Sequence, residues 1–271
     1  LMKIKKILNA LKEFNATGFP TTPAGVDLIL ENYPDIFKTH ALNLKQMVVN
    51  SAPLSPLKTK QLSTLMPDLK IYVYYGMTEA SRATFACLTD LGENFYGTVG
   101  KPMQSISIGI DDLTSEIIIS GPSVSDGYWP EKNFSKTKNG FSEIKSGDKG
   151  RFDEKGNLYI IGRIKDQINI GGFKVDPLEV ESVMKKFEGI KSVAVFGVLD
   201  EKQNEKIVSF FELDLKEINL SELETYCKKS IEYHKVPSEF MIVDKIPVGI
   251  NGKIDRNALQ EQYKKIKEEE K

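Results

Sequence analysis

Three textures follow one another along this chain of 271 residues, and their order limits the folds open to it more than any single motif does. From Met2 to Tyr75 helical and strand-like patterns alternate. Ile4, Ile7, Leu8, Leu11 and Phe14 recur at the spacing of one helical face, and Val26–Leu30 and Leu57–Leu65 read as further helices. Ala16–Pro23, punctuated by Gly18, Pro20 and Pro23, reads as a turn region. Gln46–Asn50 and Lys70–Tyr75 read as strands, the second because β-branched and aromatic residues suit a buried pleat and Gly76 ends it with a turn. This alternation predicts an α/β layer. From Gly97 the runs shorten: Ser105–Ile110, Glu116–Ser120, Gly150–Phe152 and Asn157–Ile161 predict a small β-rich subdomain. Beyond Arg163 come helices at Pro177–Phe187 and Ser221–Ile231 and strands at Ser192–Val198, Ile207–Leu213 and Phe240–Val243, an α+β unit of its own. The expected domains are residues 1–164 and 165–271, and the charged tail Lys264–Lys271 reads as a frayed helical end.

Composition removes several function classes. Lys plus Arg number 37 against 38 Asp plus Glu, so no charge excess recommends nucleic acid or an anionic membrane as partner. The basic, then apolar start Met2–Leu8 resembles a leader, but Lys12 and Glu13 interrupt it, and no stretch approaches the ~18 apolar residues of a membrane span. Cys87 and Cys227 fit neither a disulfide framework nor a zinc cluster, which points to the cytoplasm. His40 and His234 lie in dissimilar contexts, so neither a Ser-His-Asp hydrolase nor a histidine metal site is supported.

Three segments carry chemistry. Tyr74-Tyr75-Gly76-Met77-Thr78-Glu79 puts a hydroxyl and a carboxylate directly after a strand, at the carboxyl edge where α/β sheets present ligand groups. Asp148 and Arg163, each after a glycine, set an acceptor-only side chain and a planar donor fork on connected strands. The aspartate suits a vicinal diol and the arginine an anion, although a turn aspartate and a surface arginine look the same locally. Asn251-Gly252-Lys253-Ile254-Asp255-Arg256 sets a lysine on a glycine-relaxed turn, with a solvated loop as the plain alternative.

In this order the segments resemble the core motifs of the adenylate-forming ligases, the acyl-CoA synthetases, luciferases and nonribosomal peptide synthetase adenylation domains. The resemblance runs through Ser51-Ala52-Pro53-Leu54, Tyr75-Gly76-Met77-Thr78-Glu79, Gly121-Pro122-Ser123-Val124-Ser125-Asp126-Gly127-Tyr128-Trp129 and Ser146-Gly147-Asp148. It continues through Gly162-Arg163-Ile164-Lys165-Asp166, Gly171-Gly172-Phe173-Lys174-Val175, Pro177-Leu178-Glu179-Val180-Glu181 and the Asn251–Arg256 segment, so it covers nearly the whole chain.

The resemblance implies ATP-dependent adenylation of a carboxylic acid, then transfer to a thiol of CoA or of phosphopantetheine on an acyl or peptidyl carrier protein. It implies that Tyr75 stacks on adenine, Thr78 bonds phosphate, Glu79 holds Mg²⁺, Asp148 accepts the ribose hydroxyls and Arg163 contacts ribose and phosphate. Ser51, Ala52, Pro53, Gly76, Met77 and Ile160 complete the expected ATP/AMP site. Lys253, Thr78 and Glu79 are the implied catalytic set, with Lys253 bridging the carboxylate and the α-phosphate. Lys165 matches the hinge on which the small lid domain swings, and Gly171, Gly172 and Lys174 would line the thiol channel. A core-filling ring for Tyr75, a turn-capping hydroxyl for Thr78, a linker lysine at 165 and a plain hairpin at Gly171-Gly172 remain the structural alternatives. Arg82 stands near the expected acid pocket, or makes a surface ion pair.

The departures are also informative. The family's Gly/Ser/Thr-rich phosphate loop ending in Pro-Lys-Gly belongs upstream of Ser51, and no such run occurs in these residues. Together with an opening Leu1 that leads straight into a helix, this yields the expectation of a carboxyl-terminal part of the large domain plus the lid. Without backbone N–H groups to cradle the β- and γ-phosphates, such a piece is expected to be inactive alone. A non-catalytic remnant or split subunit that binds nucleotide or a carrier protein is the competing reading.

Overall fold

The computed structural model describes residues 2–131, 133–200, 204–215, 217–249 and 254–269. They form two compact units, Leu1–Ile160 and Ile161–Lys271. In the first, α1 (Met2–Glu13), β1 (Gly18–Thr21), α2 (Pro23–Asn32), α3 (Pro34–His40), β2 (Gln46–Val49), α4 (Pro56–Leu65) and β3 (Lys70–Val73) alternate as expected of an α/β layer. β4 (Thr84–Cys87), α5 (Leu88–Leu91) and β5 (Lys101–Pro102) complete a sheet of order β1-β2-β3-β4-β5. β1, β2 and β3 run parallel and β4 and β5 antiparallel. Each of α2, α3 and α4 opens on proline, whose missing N–H costs nothing in the first turn. Thr22 and Ser55 side chains cap α2 and α4 by accepting the N–H groups of Gly25 and Lys58. Leu8, Val26, Ile29, Phe37, Met47, Leu62 and Ile71 form the interior of this layer.

Two elements here differ from the sequence expectation. The turn-like stretch around Pro20 is the strand β1, which lies at the edge of the sheet, where a residue without an N–H is tolerated. Residues 34–40, unassigned from pattern, form α3 and bury Phe37.

The β-rich part comprises β6 (Ser107–Ile110), β7 (Glu116–Ser120), β8 (Ser135–Lys136), β9 (Ser142–Phe152) and β10 (Leu158–Arg163), in the order β10-β9-β7-β6 with β8 also on β9. Only Gly150–Phe152 of the eleven-residue β9 was legible as strand. The reason is a bulge: between the pairs Glu116–Lys149 and Ile118–Lys145, β7 advances two residues and β9 four. Ser146-Gly147-Asp148 stand opposite the single residue Ile117, a surplus of two, and Gly147 at φ 74° supplies the backbone conformation the bulge needs.

In the second unit β11 (Ile168–Ile170) and β12 (Phe173–Val175) form a hairpin, followed by α6 (Pro177–Met184), β13 (Ile190–Leu199), β14 (Glu205–Leu213), α7 (Leu220–Ser230), β15 (Glu239–Ile242) and α8 (Arg256–Glu269). The sheet β13-β14-β15 is covered on both faces. Val193, Val195 and Phe211 pack with Val180, Met184, Leu223 and Cys227, whereas Ala194, Phe196 and Phe210 pack with Leu259 and Tyr263 of α8. The charged tail is the end of a helix, α8, which runs to Glu269; ahead of the tail it buries Leu259 and Tyr263, spaced one turn apart, and within the tail Ile266 packs partly against the same cluster. No helix among the described residues is long and apolar enough to cross a membrane.

Candidate active site

The chain leaves β3 at Val73 and turns sharply at Gly76, where a Cβ would stand 2.5 Å from the Arg82 nitrogen and 2.8 Å from the Ala80 oxygen. Only glycine fits that approach. Met77 N–H donates to the Ala80 carbonyl (3.0 Å) and Ala80 N–H to the Met77 carbonyl (3.2 Å), so Thr78 and Glu79 sit at the tip of a closed turn, Thr78 exposed and Glu79 half-buried. The base of the turn is held by buried Thr84, whose hydroxyl accepts Tyr75 N–H at 3.2 Å and donates to the Val99 carbonyl at 2.5 Å.

Seventy-three residues later the β9 bulge brings Asp148 to this turn: Tyr75 Oη donates to Asp148 Oδ2 at 2.9 Å. Asp148 is 8% exposed. The bulge is pinned from below, where Gly147 N–H donates to Glu116 Oε1 at 2.9 Å and Asp148 N–H to Ser146 Oγ at 3.1 Å. Tyr75, Met77 and Ile160 all pack against the apolar cluster that includes Ala80, Val99, Ile117 and Leu158. Tyr75 and Asp148 are thus in contact, Gly76, Met77 and Thr78 follow Tyr75 in the same turn, and Ile160 packs against the same apolar cluster as Tyr75 and Met77.

Ser51, Ala52 and Pro53 follow β2 and are exposed, with Ser51 at φ 78°. The neighbouring Asn50 donates through Nδ2 to the hydroxyl of Tyr74, joining the end of β2 to the end of β3. Arg82 lies over the Tyr74 ring at 5.7 Å, a cation–π contact. The contact between Asn50 and Tyr74 was not foreseen from the sequence, because a local pattern does not reveal which strand ends are adjacent.

Tyr128 is a second unforeseen participant. Its hydroxyl donates to Glu79 Oε1 at 2.7 Å, and its ring meets Phe134 edge-on at 5.3 Å. The Glu79 carboxylate raises the Tyr128 phenol above its ordinary range, so it remains a donor at neutral pH. Ser125 N–H donates to the Glu79 carbonyl at 2.8 Å and Val124 bridges Ala80, so one segment grips both the backbone and the side chain of Glu79. Among the described residues no group of three or more His, Cys, Asp or Glu is placed to hold an ion. Glu79 instead offers a single oriented carboxylate, which suits Mg²⁺, an ion that keeps waters and takes one or two carboxylates plus substrate phosphates.

The remaining expected residues belong to the second unit. Arg163 ends β10, and Lys165 is exposed in the 3₁₀ turn Ile164–Asp166. Gly171 and Gly172 form the two-residue tip of the β11–β12 hairpin at φ 58° and 96°, the left-handed pair such a turn requires, and Lys174 is exposed on β12. Lys253 lies outside the described residues, as do Asn251 and Gly252.

Residues 1–129 match the family described as AMP-binding enzyme, and residues 179–253 match the AMP-binding enzyme C-terminal domain. The oxalate–CoA ligase of Arabidopsis thaliana is 29% identical over 263 residues, which cover 93% of this chain and 51% of that protein. The long-chain-fatty-acid–CoA ligase of Bacillus subtilis is 30% identical over 268 residues, 94% of this chain and 47% of that protein. The crystal structure of ATP-bound MatB from Rhodopseudomonas palustris aligns at a TM-score of 0.82 with 27% identity, covering 97% of this chain and 54% of that one. The chain spans about half the length of the curated relatives it matches.

Proposed function

The chain belongs to the AMP-binding, adenylate-forming ligases, and from that premise we propose that it serves an ATP-dependent ligase that converts a carboxylic acid to its acyl-AMP and then to a thioester of CoA. In the first half-reaction a carboxylate oxygen bonds to the α-phosphorus and pyrophosphate leaves. In the second a thiol sulfur bonds to the acyl carbon, AMP leaves with the electron pair of the broken C–O bond, and the thiol proton passes to solvent.

The observation that carries this reading is the 2.9 Å contact of Tyr75 with Asp148, a half-buried ring and a buried carboxylate fastened to each other at the end of a parallel strand. A carboxylate accepts up to about four hydrogen bonds, so Asp148 can hold the Tyr75 hydroxyl and a ribose diol together. The tie fixes the ring as a platform for adenine at the height of that diol. We assign Ile160 and Met77 to the adenine side of the nucleotide and Ser51, Ala52, Pro53 and Gly76 to backbone contacts with it. Thr78 faces solvent beside Glu79 and is the hydroxyl for the α-phosphate. Glu79, oriented by Tyr128, is the residue that would hold Mg²⁺, and the ion when bound neutralises phosphate charge. We assign Arg163 to ribose and phosphate, and Lys253 to the carboxylate and the α-phosphate as charge builds between them.

In the same reading Lys165 is the hinge between a nucleotide-holding domain, residues 1–164, and a mobile lid, residues 165–271. Gly171, Gly172 and Lys174 border the thiol's path. CoA is favoured over a carrier protein because the relatives quoted above are named CoA ligases. Free Cys87 and Cys227 favour a reducing, cytoplasmic setting. The direct test is ATP–pyrophosphate exchange by the natural full-length protein across a panel of carboxylic acids, with Asp148→Ala as control. Acid-dependent exchange that Asp148→Ala weakens, chiefly through KM for ATP, supports the reading, and exchange indifferent to Asp148 overturns the assignment of the diol site.

A further inference from the structure

The second unit contains an ion cluster that the adenylation and hinge assignments do not use. Arg256, the first residue of α8, donates through Nη2 to Glu181 Oε1 of α6 at 2.9 Å, and its Nη1 lies 3.4 Å from Asp166 Oδ2 in the turn Ile164–Asp166. Glu181 Oε1 also accepts the N–H of Val195 in β13 at 2.9 Å. The side chains of Glu181, Asp166 and Arg256 are 9%, 20% and 21% exposed.

Burial pushes the Glu181 carboxyl up to about 7, against the pull of Arg256 and of the Val195 N–H and with the push of the Asp176 and Asp166 charges beside it. Nε of Arg256 is buried with no hydrogen-bond partner among the described residues. A buried ion group that leaves a carboxyl this perturbed and a donor unused is weak as a stabilising device, because desolvation offsets much of the attraction. What it does supply is geometry. A planar fork that reaches two carboxylates on different elements fixes their separation in a way that a single ammonium cannot.

The two segments joined are the ones that matter to the reading above, on which this inference rests. Val248 and Ile254 form a bridge and Asp255 N–H donates to the Pro247 carbonyl at 3.0 Å, so residues 247–248 and 254–255 lie side by side, and Arg256 follows immediately. Asp166 follows Lys165 directly. We propose that Arg256 is a positioning residue for Lys253, which stands three positions before it in the sequence: through Asp166 and Glu181 it clamps the start of α8 and the turn after Arg163 onto α6, so that the start of α8 and the hinge turn move as one body.

The clamp is tested apart from the function. By hydrogen exchange on the 271-residue chain, Arg256→Gln is expected to speed exchange at Gln167 and Asp255 together by roughly tenfold, since local opening sets these rates, and to leave the β13–β14 ladder unchanged. Unchanged protection at either amide overturns the clamp whatever the activity. The double variant Glu181→Gln/Arg256→Met removes the Glu181–Arg256 pair together, leaving neither partner buried without the other, and it carries the same measurement where the single variant does not fold. Positioning is then read in ATP–pyrophosphate exchange by the natural full-length protein. The double variant should recover thermal stability but keep kcat down roughly ten- to hundredfold, the cost of a small misplacement, with KM for ATP within about twofold of the parent. Recovery of kcat along with stability would show that the ions serve the fold alone. Absence of exchange in the parent protein counts against the ligase reading and leaves the clamp to stand or fall on hydrogen exchange.

Discussion

The site around Asp148 and the ion cluster around Glu181 both bring carboxylates to low exposure, but in opposite ways. Asp148 reaches its place on a strand bulge, where the hydroxyl of Tyr75, from the turn that carries exposed Thr78, donates to it. Glu181 projects from a regular helix into the interior, with an arginine, a backbone N–H and two further aspartates around it. In the proposed reading the first carboxylate accepts a ribose diol beside the Tyr75 hydroxyl, whereas the second is engaged within the protein. Regular elements seal ionisable groups inside, whereas breaks in regularity, the bulge and the glycine turn, present them.

The sharpest way to break this contrast is at Lys253, the second-unit residue assigned to substrate. In the natural full-length protein Lys253→Ala should lower adenylation by about 10²- to 10³-fold, the usual cost of losing one preorganised donor to developing charge. Thiolation of preformed acyl-AMP should fall much less, and pyrophosphate exchange run beside single-turnover thiolation separates the two. Equal losses would remove Lys253 from the first half-reaction.

Asp148→Ala tests the presenting region. It removes a charged acceptor whose hydrogen bonds are worth about 1.5–3 kcal/mol each, so kcat/KM for ATP should fall by roughly ten- to hundredfold, with most of the change in KM. A loss confined to kcat would mean that Asp148 acts on the transition state and not on the bound ribose.

Lys165→Pro should act between these effects in kind and below them in size. Proline fixes φ near −65° and removes the N–H, so adenylation should persist while thioester formation drops by roughly tenfold, with acyl-AMP accumulating. Unchanged thioester output would place the pivot elsewhere.

The smallest effect concerns Glu181 alone and is read as stability against pH. Its folded-state pKa of about 7 lies above the ordinary 4.5, so the folded protein holds a proton that the unfolded chain has lost. Its contribution is therefore fully present below pH 4.5 and declines as the pH rises through 7. Glu181→Gln should flatten that part of the denaturation profile of the 271-residue chain. A profile in the variant as steep as the parent's would assign the dependence to other groups.

Pattern revealed the α/β order of the first unit because burial repeats every two residues in a strand and every 3.6 in a helix, and Ile4, Leu8 and Leu11 or Ile71 and Val73 record that locally. It failed at β1, where Pro20 reads as a break until the strand is known to lie at an edge, and along β9, where Ser146-Gly147-Asp148 reads as a turn until the partner strand shows a bulge. It also failed at α8, whose buried Leu259 and Tyr263 are diluted by charge. The candidate site divides the same way. Tyr75, Thr78, Glu79 and Asp148 were legible as motif residues; Tyr128 was seen within a motif but without its role, and Asn50 and Tyr74 were not seen as partners.

By itself, then, the sequence determined the family, the order of its motifs, the two kinds of fold in succession and the chemical types at the site, since each is written in residue identity and short-range spacing. Only the tertiary structure decided which groups meet: Tyr75 with Asp148 across 73 residues, Tyr128 with Glu79 across 49, and Arg256 with Glu181 across 75. Strand register, a two-residue surplus in one ladder and the packing of α8 on a distant strand set those meetings. None of these is a property of any short segment, because each depends on where two separated stretches of chain come to rest against one another.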